Sequence, residues 1–499
     1  MNLRELVAAG PGLSRWQQDV EWDKEIGSVT ADSRKIKKGD VFVALKGEHH
    51  DGHQYIDQAL SQGALAVILE NEEFCAEKKP WILVKNSREI YGAIMQTLAG
   101  RPSLAMNVIG VTGTNGKTTV TNMVANIMEE AGKKIGLLGT IQNRVGGRRE
   151  AALLTTPDSP QLAELFRQMK EEKTDYAIME VSSHALAQSR TAGIEFDVAI
   201  FTNLSQDHLD YHETFNEYLA QKAKLFSGLS PKGEKKRKKT AILNLDDNSS
   251  AFLADYCRVP VITYGLNGLS HVRAEDVQLS AEGIRYQLVY GGRRQDIRLK
   301  LHGRFNVYNS LAAITAALVE GVDIEVIQRA LAKMEPVAGR FQQVADPTGK
   351  LPFNVFVDYS HTPDSLENCI ITGRELCRGK IISVFGAGGH RDVTKRPLMG
   401  EVAARLSDVT IVTSDNPREE EPLAIIRDIM NGMKGPLAKA QVLTEPDRRQ
   451  AIVKAVSLAQ PGDIVLVCGK GHENYQIVGG EKLAFDDYEE VQKAMRLVQ

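Results

Sequence analysis

Residues 107–119 read NVIGVTGTNGKTT, a short apolar run followed by a glycine-rich turn and a Lys-Thr pair. The apolar part, 107–111, predicts a buried strand, and the segment from about Thr118 predicts a helix that ends before Gly132. A strand, a glycine loop and a helix in this order are typical of a phosphate-binding site, because the loop N–H groups and the helix N-terminus turn toward phosphate oxygens. The sequence therefore predicts an α/β domain that binds a nucleotide.

The loop departs from the common phosphate-binding pattern at one position. That pattern has its first glycine at position 111, where this chain has Val111, and the nearest glycines are Gly110 and Gly113. We expect Lys117 to reach the β- and γ-phosphates of ATP, and the Thr118 hydroxyl to bind Mg²⁺. The residues predicted to hold the nucleotide are Gly113, Thr114, Asn115, Gly116, Lys117, Thr118 and Thr119. A plain turn is the alternative.

Length and composition set the broad class of the protein. The chain has 499 residues, 42% of them hydrophobic and 25% charged, with a formal net charge of -3. These values are ordinary for a globular protein of about three domains, and they offer no global attraction to nucleic acid or membrane. The five cysteines lack a CxxC or metal-binding spacing, so we expect free thiols. Because the sequence shows no signal peptide and no membrane-spanning run, we expect a cytoplasmic protein.

Three regions follow one another along the chain. Residues 1–101 alternate short β-rich runs with helical stretches, which predicts a small α/β domain. Residues 102–336 hold the phosphate-binding segment, further runs that predict a mostly parallel sheet, and a hairpin over about 277–301 that turns at Gly291-Gly292. Residues 337–499 repeat the alternation of strands and helices, which predicts a doubly wound, Rossmann-like domain.

The segment 232–239 holds six Lys or Arg residues. Such a run is typical of a solvated surface loop, and a tether for nucleic acid is the alternative. Because the total charge of the chain is slightly acidic, we expect the solvated loop and no nucleic-acid partner.

Acidic residues follow two predicted strands of the central region. Glu180 ends the apolar run 176–179, where a carboxylate emerges at the carboxyl edge of a parallel sheet. We expect Glu180 to be a second ligand of Mg²⁺, and a helix-capping acid is the alternative. Residues 207–212 read DHLDYH and follow the next predicted strand, 197–202. This density of acids and histidines favours a metal or substrate site at the same edge.

Three polar loops follow predicted strands of the last region. They are residues 386–391, 414–418 and 469–473. Because strand ends in an open α/β sheet converge on one crevice, we expect one pocket that presents Arg391, Arg418 and Glu473. Arginine binds a carboxylate through two hydrogen bonds and glutamate can bind an ammonium group, which indicates an amino-acid substrate. A network of surface ion pairs is the alternative.

Taken together, these segments resemble the Mur ligases, the ATP-dependent enzymes that extend the peptide of the bacterial cell-wall precursor. The matching segments are 112–119, 179–184, 203–210, 218–222, 303–306, 339–341 and 358–363. Within the first hundred residues, 31–34 and 39–44 look like the uridine-nucleotide-binding domain of one member. That member adds the third residue to UDP-N-acetylmuramoyl-L-alanyl-D-glutamate.

The resemblance implies roles for residues at the matching positions. Glu180 and His208 would hold metal together with Thr118, and Lys222 would be the lysine that this family carbamylates. A carbamate turns a cation into a carboxylate-like ligand of Mg²⁺. The residues implied as catalytic are Lys117, Lys222, His208 and Glu180. Those implied to close over adenine, phosphates and ribose are Asn306, Arg340 and Asp358. Those implied for the UDP-muramoyl dipeptide are Ser33, Thr155, Thr156, Ser182, Gln188 and Arg190.

The loop Asp415-Asn416-Pro417-Arg418 resembles the form found in family members that add meso-diaminopimelate rather than L-lysine. Diaminopimelate differs from lysine by a distal carboxylate, which Arg418 would pair with. Lysine would leave a desolvated Arg418 unpaired, at a cost on the order of a few kcal/mol. The residues expected in the amino-acid pocket are Arg391, Asp415, Asn416, Pro417, Arg418, Gly469 and Glu473.

The sequence therefore predicts an ATP- and Mg²⁺-dependent ligase that joins UDP-muramoyl dipeptide to meso-diaminopimelate through an acyl phosphate. The likeness to the family also implies a monomer. Within the fold, the alternatives are a lysine-adding ligase and a ligase like folylpolyglutamate synthase. From other classes, the alternatives are a small-molecule kinase and a regulator that binds a nucleotide without turnover.

Overall fold

The structure is a computed structural model that describes residues 1–498 except 9, 11, 19, 48–49, 77–78, 208–210, 213, 348 and 436. The backbone divides into two compact units. The first unit comprises Met1–Gly110, Lys133–Ala199 and Lys224–Lys239. The second comprises Val111–Gly132, Ile200–Ala223 and Thr240–Gln499. Within the described ranges, no helix has both the length and the apolar character needed to cross a lipid bilayer.

The first region of the chain forms a five-stranded sheet with helices on its two faces. Its elements are α1 (Leu3–Ala8), β1 (Leu13–Trp16), β2 (Val29–Thr30), β3 (Val41–Val43), α2 (Ile56–Ser61), β4 (Ala66–Leu69), β5 (Trp81–Val84) and α3 (Ser87–Leu98). The strand order is β1-β5-β4-β3-β2, and the pairs are parallel except for β1 with β5. Both faces of β3 and β4 are covered, so these strands are buried throughout. The small α/β domain predicted from the sequence is confirmed.

The central region supplies strands to both units. Its first elements are β6 (Asn107–Thr112), α4 (Lys117–Glu130), β7 (Ile135–Leu138), β8 (Gln142–Val145), β9 (Arg148–Ala151), α5 (Ser159–Glu171), β10 (Tyr176–Glu180), α6 (Ser183–Ala187) and β11 (Val198–Phe201). They are followed by α7 (Phe215–Ser227), β12 (Thr240–Asn244), α8 (Ser249–Tyr256), β13 (Val261–Gly265), β14 (Val272–Ser280), β15 (Gly283–Tyr290), β16 (Arg293–Leu299), α9 (Phe305–Val319) and α10 (Ile324–Lys333). β6 and β11 each run from the first unit into the second.

Parallel and antiparallel pairing alternate in this region. In the first unit, β10 pairs with β7 in parallel, and β8 and β9 extend that sheet as antiparallel strands. In the second unit, β12, β13 and β14 are parallel, whereas β14, β15 and β16 are antiparallel. The hairpin that turns at Gly291-Gly292 is confirmed between β15 and β16. The predicted hairpin also took in residues 277–280, which instead belong to β14, a third antiparallel strand.

The last region is a six-stranded sheet followed by a small hairpin. Its elements are β17 (Gln342–Gln343), β18 (Asn354–Asp358), α11 (Pro363–Leu376), β19 (Ile381–Phe385), α12 (Lys395–Leu406), β20 (Val409–Val412), α13 (Pro422–Asn431), β21 (Gln441–Thr444), α14 (Arg448–Leu458), β22 (Ile464–Cys468), β23 (Tyr475–Val478), β24 (Glu481–Ala484) and α15 (Asp487–Leu497). The sheet order is β17-β18-β22-β19-β20-β21, and the pairs are parallel except for β17 with β18. β23 and β24 form a separate two-stranded sheet.

Alternate residues of the central strand of this sheet enter two different cores. Ile464 and Leu466 of β22 pack in a cluster with residues of α11, α12 and α13. Val465 and Val467 pack in a second cluster with residues of α14 and α15. Because successive side chains of a strand point to opposite faces, the helices cover both faces of the sheet. The doubly wound domain predicted from the sequence is confirmed.

The basic segment 232–239 is only partly solvated. Lys235 Nζ lies 2.6 Å from Asp197 Oδ2, and the two side chains are 4% and 2% exposed. Lys239 Nζ lies 2.7 Å from Glu195 Oε1 and is also buried. The expectation of a fully solvated loop is therefore wrong for these two lysines. The two lysines are buried because two acids that are distant in the sequence, Asp197 and Glu195, pair with them within the first unit.

Candidate active site

The glycine loop after β6 lies in the second unit and depends on two glycines that have no room for a side chain. Gly113 and Gly116 have φ values of 146° and 86°, in the region that favours glycine. A Cβ atom at Gly113 would lie 1.9 Å from Thr202 Oγ1, and one at Gly116 would lie 2.5 Å from Asn309 Oδ1. Helix α4 begins directly after this turn, so its first N–H groups are available to an anion.

Two lysines meet at one carbonyl of the loop. Lys117 Nζ donates to Gly113 O and to Thr114 O at 2.9 Å, and Lys222 Nζ donates to Gly113 O at 3.0 Å. Lys222 lies on α7 and is 1% exposed. Its burial, together with repulsion from Lys117, lowers the pKa of Lys222 well below the usual range, although Asp207 opposes this. A lysine in this environment has a larger neutral, nucleophilic fraction at neutral pH.

A cavity of about 310 Å³ opens beside the glycine loop in the second unit. Arg340 lines it, with Nη2 3.1 Å from Thr118 Oγ1 and the guanidinium 4.5 Å from the centre of the Tyr359 ring. Arg340 Nε is buried and has no hydrogen-bond partner in the described part of the chain. Because a buried N–H group is costly to leave unpaired, this atom marks a place for an anionic acceptor.

Two more residues were predicted to bind the nucleotide, Asp358 and Asn306, and only Asp358 lines this cavity. Asp358 lines it, and its carboxylate accepts from Phe341 N at 2.6 Å and Ser360 N at 2.8 Å. Burial raises the pKa of Asp358. Asn306 is buried on α9, where its Oδ1 accepts from Asn309 Nδ2 at 2.9 Å. Asn309 is among the residues of the cavity wall, so Asn306 supports a lining residue.

Asp364 is a residue of this cavity that the sequence did not mark. It stands at the start of α11, and its Oδ2 accepts from Asn115 Nδ2 at 2.8 Å and from Ser205 Oγ at 3.4 Å. The carboxyl thereby joins the third region of the chain to the glycine loop. Burial raises the pKa of Asp364 above its usual value, against the lowering effect of these hydrogen bonds. The only indication in the sequence is that this acid directly follows Pro363, the last residue of the segment 358–363.

The polar loops of the last region come together in the second unit. Gly389 O accepts from Arg418 Nη1, and Gly389 N donates to Asn416 O at 2.9 Å. A Cβ atom at Gly389 would lie 2.0 Å from Pro417 O, so this approach requires glycine. Burial and repulsion from Arg391 both lower the pKa of Arg418. The carboxylates of Asp415 and Glu473 oppose this effect, and a further anion near the two arginines would offset their repulsion.

Glu473 and Asn416 belong to a cluster around a lysine that sequence reasoning missed. Lys470 Nζ lies 3.1 Å from both Asn416 Oδ1 and Glu473 Oε2, and Asn416 Nδ2 donates to Glu473 Oε2 at 2.8 Å. Lys470 is 0% exposed. Close by, a Cβ atom at Gly469 would lie 2.4 Å from Asp415 Oδ2. The predicted ammonium-binding carboxylate thus already has an internal cation as partner.

Glu180 lies at the end of β10, in the first unit, and is 1% exposed. Its carboxylate accepts from Thr140 N at 2.8 Å and from Thr140 Oγ1 at 3.0 Å. Thr155 Oγ1 lies 3.1 Å from Thr140 Oγ1. The helix that follows, α6, is capped by Ser182, whose Oγ accepts from Ala185 N at 3.2 Å. The alternative that Glu180 caps this helix is therefore wrong.

The other residues predicted for the dipeptide are connected by hydrogen bonds within the first unit. Ser182 N donates to Thr156 Oγ1 at 3.0 Å, and Arg190 Nη1 donates to Thr156 O at 2.8 Å. Arg190 Nη2 donates to Gln188 Oε1 at 2.7 Å. Residues separated by more than thirty positions in the sequence are thus held side by side.

A cavity of about 1040 Å³ in the first unit brings Ser33 to the same wall as Gln188 and Arg190. Ser33 is buried and its Oγ donates to Gln58 Oε1 at 3.2 Å. Arg88, which the sequence did not mark, also lines the cavity. Arg88 and Arg190 place cationic groups on the wall, and guanidinium groups suit a phosphorylated ligand.

The metal ligands predicted from the sequence are supported only by the chemistry of their donor atoms. His208 lies outside the described residues. Among the residues that are described, no group of three or more His, Cys, Asp or Glu side chains is arranged to hold a metal ion. Thr118 and Glu180 offer the oxygen atoms that Mg²⁺ prefers, whereas the Lys222 amine offers a nitrogen atom. Lys222 fits Mg²⁺ only when it carries a carboxylate-like group.

Comparison with protein families finds three adjoining matches along the chain. Residues 25–98 match the catalytic domain of the Mur ligase family, 111–317 the Mur ligase middle domain, and 339–471 the glutamate ligase domain of Mur ligases. A protein of Geobacillus kaustophilus is 44% identical over 463 residues, 93% of each chain. A protein of Syntrophomonas wolfei is 43% identical over 487 residues, 98% of this chain and 97% of its own. Both are named UDP-N-acetylmuramoyl-L-alanyl-D-glutamate--2,6-diaminopimelate ligase.

Solved structures give the same result for the fold. The structure of a UDP-N-acetylmuramoyl-L-alanyl-D-glutamate--2,6-diaminopimelate ligase superimposes with a TM-score of 0.68 at 31% identity, covering 100% of this chain and 99% of its own. The MurF ligase of Thermotoga maritima in complex with ADP has a TM-score of 0.60 at 18% identity, covering 94% and 97%. This second likeness concerns the fold alone.

Proposed function

The chain belongs to the Mur ligase family, and from this premise we propose that it joins 2,6-diaminopimelate to UDP-N-acetylmuramoyl-L-alanyl-D-glutamate with conversion of ATP to ADP and phosphate. The observation that carries the proposal is the placement of two arginines, Arg391 and Arg418, beside the same residue, Gly388, where an added carboxylate would offset their positive charge. The distal carboxylate of diaminopimelate is such a group, and lysine lacks it. The relatives at 43–44% identity bear the name of this activity.

The reaction proceeds in two balanced steps. The γ-carboxylate of D-glutamate attacks the γ-phosphorus of ATP, the bond to the bridging oxygen breaks, and an acyl phosphate and ADP form. The neutral amine of diaminopimelate then attacks the acyl carbon, displaces phosphate and releases a proton, which yields the amide. A carboxylate is a poor acylating agent in water, so this activation is what makes the amide accessible at neutral pH.

The residues of the nucleotide site neutralise charge in the first step. Lys117 lies at the N-terminus of α4, where it reaches the β- and γ-phosphates once it exchanges its carbonyl partners for phosphate oxygens. Arg340 offers its unpaired Nε to the same group. Asp358 and Asn309 line the remainder of the nucleotide cavity.

Bound Mg²⁺ would spread the negative charge of the phosphates and of the developing acyl phosphate. We propose Thr118, Glu180, His208 and Lys222 as its ligands. Lys222 takes this role as a carbamate, which forms when its neutral amine attacks CO₂ and releases a proton. The buried position of Lys222 and its lowered pKa support this modification.

The remaining assignments follow the same proposal. Ser33 and the cavity around it take the uridine nucleotide. The muramoyl dipeptide contacts Thr155, Thr156, Ser182, Gln188 and Arg190. Diaminopimelate, in its meso form, is bound by Arg391, Asp415, Asn416, Pro417, Arg418, Gly469 and Glu473. The domains are 1–101, 102–336 and 337–499, and the protein is a cytoplasmic monomer.

Release of phosphate tests the proposal directly. The protein is incubated with ATP, Mg²⁺ and UDP-N-acetylmuramoyl-L-alanyl-D-glutamate, and with diaminopimelate, with lysine, or without an amino acid. We expect phosphate release that requires diaminopimelate, and a product that contains the new amide. Strong turnover with lysine would contradict the role of Arg418, and a phosphorylated product that accumulates in place of an amide would indicate a kinase.

Isotope transfer tests the acyl phosphate. The γ-carboxylate of the D-glutamate residue is labelled with oxygen-18, and the released phosphate is examined by mass spectrometry. One labelled oxygen per phosphate is expected. Amide formation with unlabelled phosphate would remove the acyl phosphate from the mechanism.

A further inference from the structure

The hairpin of β23 and β24 stands beside the candidate amino-acid pocket without belonging to the main sheet. It forms a two-stranded sheet of its own that turns at Gly479 and Gly480. All four residues of β24 are exposed. Because an isolated two-stranded hairpin is only marginally stable in water, its conformation depends on the contacts that it makes elsewhere.

These contacts converge on the loop 415–418. Gln476 Nε2 donates to Asp415 O at 2.7 Å, and Ile477 N donates to Asn416 Oδ1 at 3.0 Å. Two further bonds join the backbones, and they make a short parallel bridge between Arg418 and Val478. The hairpin therefore touches three of the four residues in the loop.

Both backbone groups of Arg418 are bonded to the hairpin. Arg418 N donates to Ile477 O at 2.9 Å, and Arg418 O accepts from Gly479 N at 2.6 Å. Arg418 has a φ of 55°, in the left-handed region that a residue with a side chain seldom adopts. Such a conformation persists only where surrounding contacts hold it. The hairpin supplies these contacts.

Charged and aromatic groups fasten the base of the hairpin to the pocket. Two ammonium groups approach the Tyr475 ring, with Lys482 Nζ at 3.8 Å and Lys470 Nζ at 5.4 Å from its centre. Lys470 is the buried lysine that pairs with Glu473. The cation–π contact with Lys470 thus connects the hairpin to the polar cluster that Lys470 forms with Asn416 and Glu473.

We propose that the hairpin 475–484 is the positioning element for Arg418, and that it sets the preference for an amino acid with a distal carboxylate. The inference rests on the proposed function. By fixing the backbone of Arg418, the hairpin fixes the direction from which the guanidinium meets that carboxylate. Loosening the hairpin weakens the binding of diaminopimelate and leaves ATP and the uridine nucleotide unaffected.

A matched pair of glycine variants tests this role. Gly479→Ala and Gly291→Ala each place a methyl group in open space at a hairpin turn, where φ is 57° and 52° respectively. The two substitutions impose similar strain, but only Gly479 is bonded to Arg418. A third variant, Gln476→Ala, removes the side-chain bond to Asp415 without changing a backbone conformation. Thermal unfolding of all three confirms that each protein is folded.

The Michaelis constants of the three substrates distinguish positioning from general damage. We expect Gln476→Ala to raise the KM for diaminopimelate roughly fivefold, the effect of one lost hydrogen bond. Gly479→Ala should raise it by a similar factor, because alanine strains the left-handed backbone that bonds to Arg418. The KM values for ATP and for the uridine nucleotide should stay within about twofold, and the ratio of kcat/KM between diaminopimelate and lysine should fall. Gly291→Ala should leave all of these values unchanged.

The outcomes separate this inference from the proposed function. If the unmodified protein forms no amide, the proposed function fails and this inference fails with it. If the unmodified protein is active and the KM for diaminopimelate is unchanged in Gly479→Ala and Gln476→Ala, only the inference is overturned. An equal rise in all three KM values would also overturn it, because it would indicate a general structural effect.

Discussion

The nucleotide loop, 113–119, follows β6 and the amino-acid loop, 415–418, follows β20, but key polar groups of the two loops are held in different ways. In the nucleotide loop, Lys117 Nζ bonds to carbonyl groups three and four positions before it. In the amino-acid loop, Asn416 Oδ1 accepts from Ile477 N, 61 positions further along the chain. The lysine predicted to meet phosphate is thus held by carbonyl groups of its own loop, whereas the conformation of the amino-acid loop depends on a contact with a distant stretch.

Replacement of the nucleotide-loop lysine should have the largest effect and should not depend on the amino acid. We expect Lys117→Ala to lower kcat/KM by at least about a thousandfold, because a cation at the transferring phosphoryl group is lost. Phosphate release with diaminopimelate and with lysine measures the effect. Lys232→Ala, at an exposed lysine, is the control. A loss confined to diaminopimelate would contradict the division of labour between the two loops.

The two lysines that donate to Gly113 O show which site residues the sequence pattern could predict and which it could not. Lys117 could be predicted because its role is fixed by its neighbours in a glycine loop between a strand and a helix. Lys222 had no such signal, and without the family resemblance it would have been an ordinary helix lysine. Its burial arises from a contact across 109 positions, which no local pattern contains. The resemblance supplied what periodicity could not.

Replacement of Lys222 should have the second-largest effect on activity. We expect Lys222→Ala to lower kcat by roughly a hundredfold or more, because a ligand of Mg²⁺ is lost. Lys222→Arg should not restore activity, since a guanidinium group does not form a carbamate. Lys224→Ala, on the exposed face of the same helix, provides the control.

Carbon dioxide distinguishes a carbamate from a plain lysine. Removal of CO₂ from the buffer should lower the phosphate release of the unmodified protein, and added bicarbonate should restore it. Full activity after thorough removal of CO₂ would contradict the carbamate, although it would leave a role for the amine itself.

The amino-acid loop should give a smaller but selective effect. We expect Arg418→Ala to lower kcat/KM for diaminopimelate roughly a hundredfold, the worth of a charge-assisted contact with a carboxylate. The value for lysine should not fall, because lysine has no carboxylate at that position, and it should rise as the unpaired guanidinium is removed. Arg427→Ala, an exposed arginine on α13, is the control. Equal losses with both amino acids would place Arg418 outside the selection step.

The loops of the amino-acid pocket were predicted to converge, and they do so because strand ends share one edge of a sheet. Their internal partners were not predicted. Lys470 stood in the quoted segment 469–473, yet nothing in the sequence showed that it would be buried against Glu473. The support of Arg418 by the β23–β24 hairpin was missed for the same reason, since backbone hydrogen bonds leave no trace in residue identity.

Replacement of Asp364 should have the smallest effect, a change in the free energy of unfolding. It tests how a distant residue contributes to holding the nucleotide loop. Burial raises the pKa of Asp364 above 3.8, so the folded protein keeps this proton at pH values where the unfolded chain has lost it. The unfolding free energy should therefore fall as the pH rises from 3.8 through the raised pKa. Asp364→Asn should remove this loss, because the amide does not titrate.

Urea unfolding of both proteins at mildly acidic and at neutral pH measures the difference. The variant should gain stability relative to the unmodified protein as the pH rises, because its amide carries no charge in either state. Glu335→Gln, at an exposed carboxyl, should show no such trend. A difference that is the same at every pH would assign the contribution of Asp364 to its hydrogen bonds with Asn115 and Ser205 and not to its charge. The nucleotide loop would then depend on distant packing much as the amino-acid loop does.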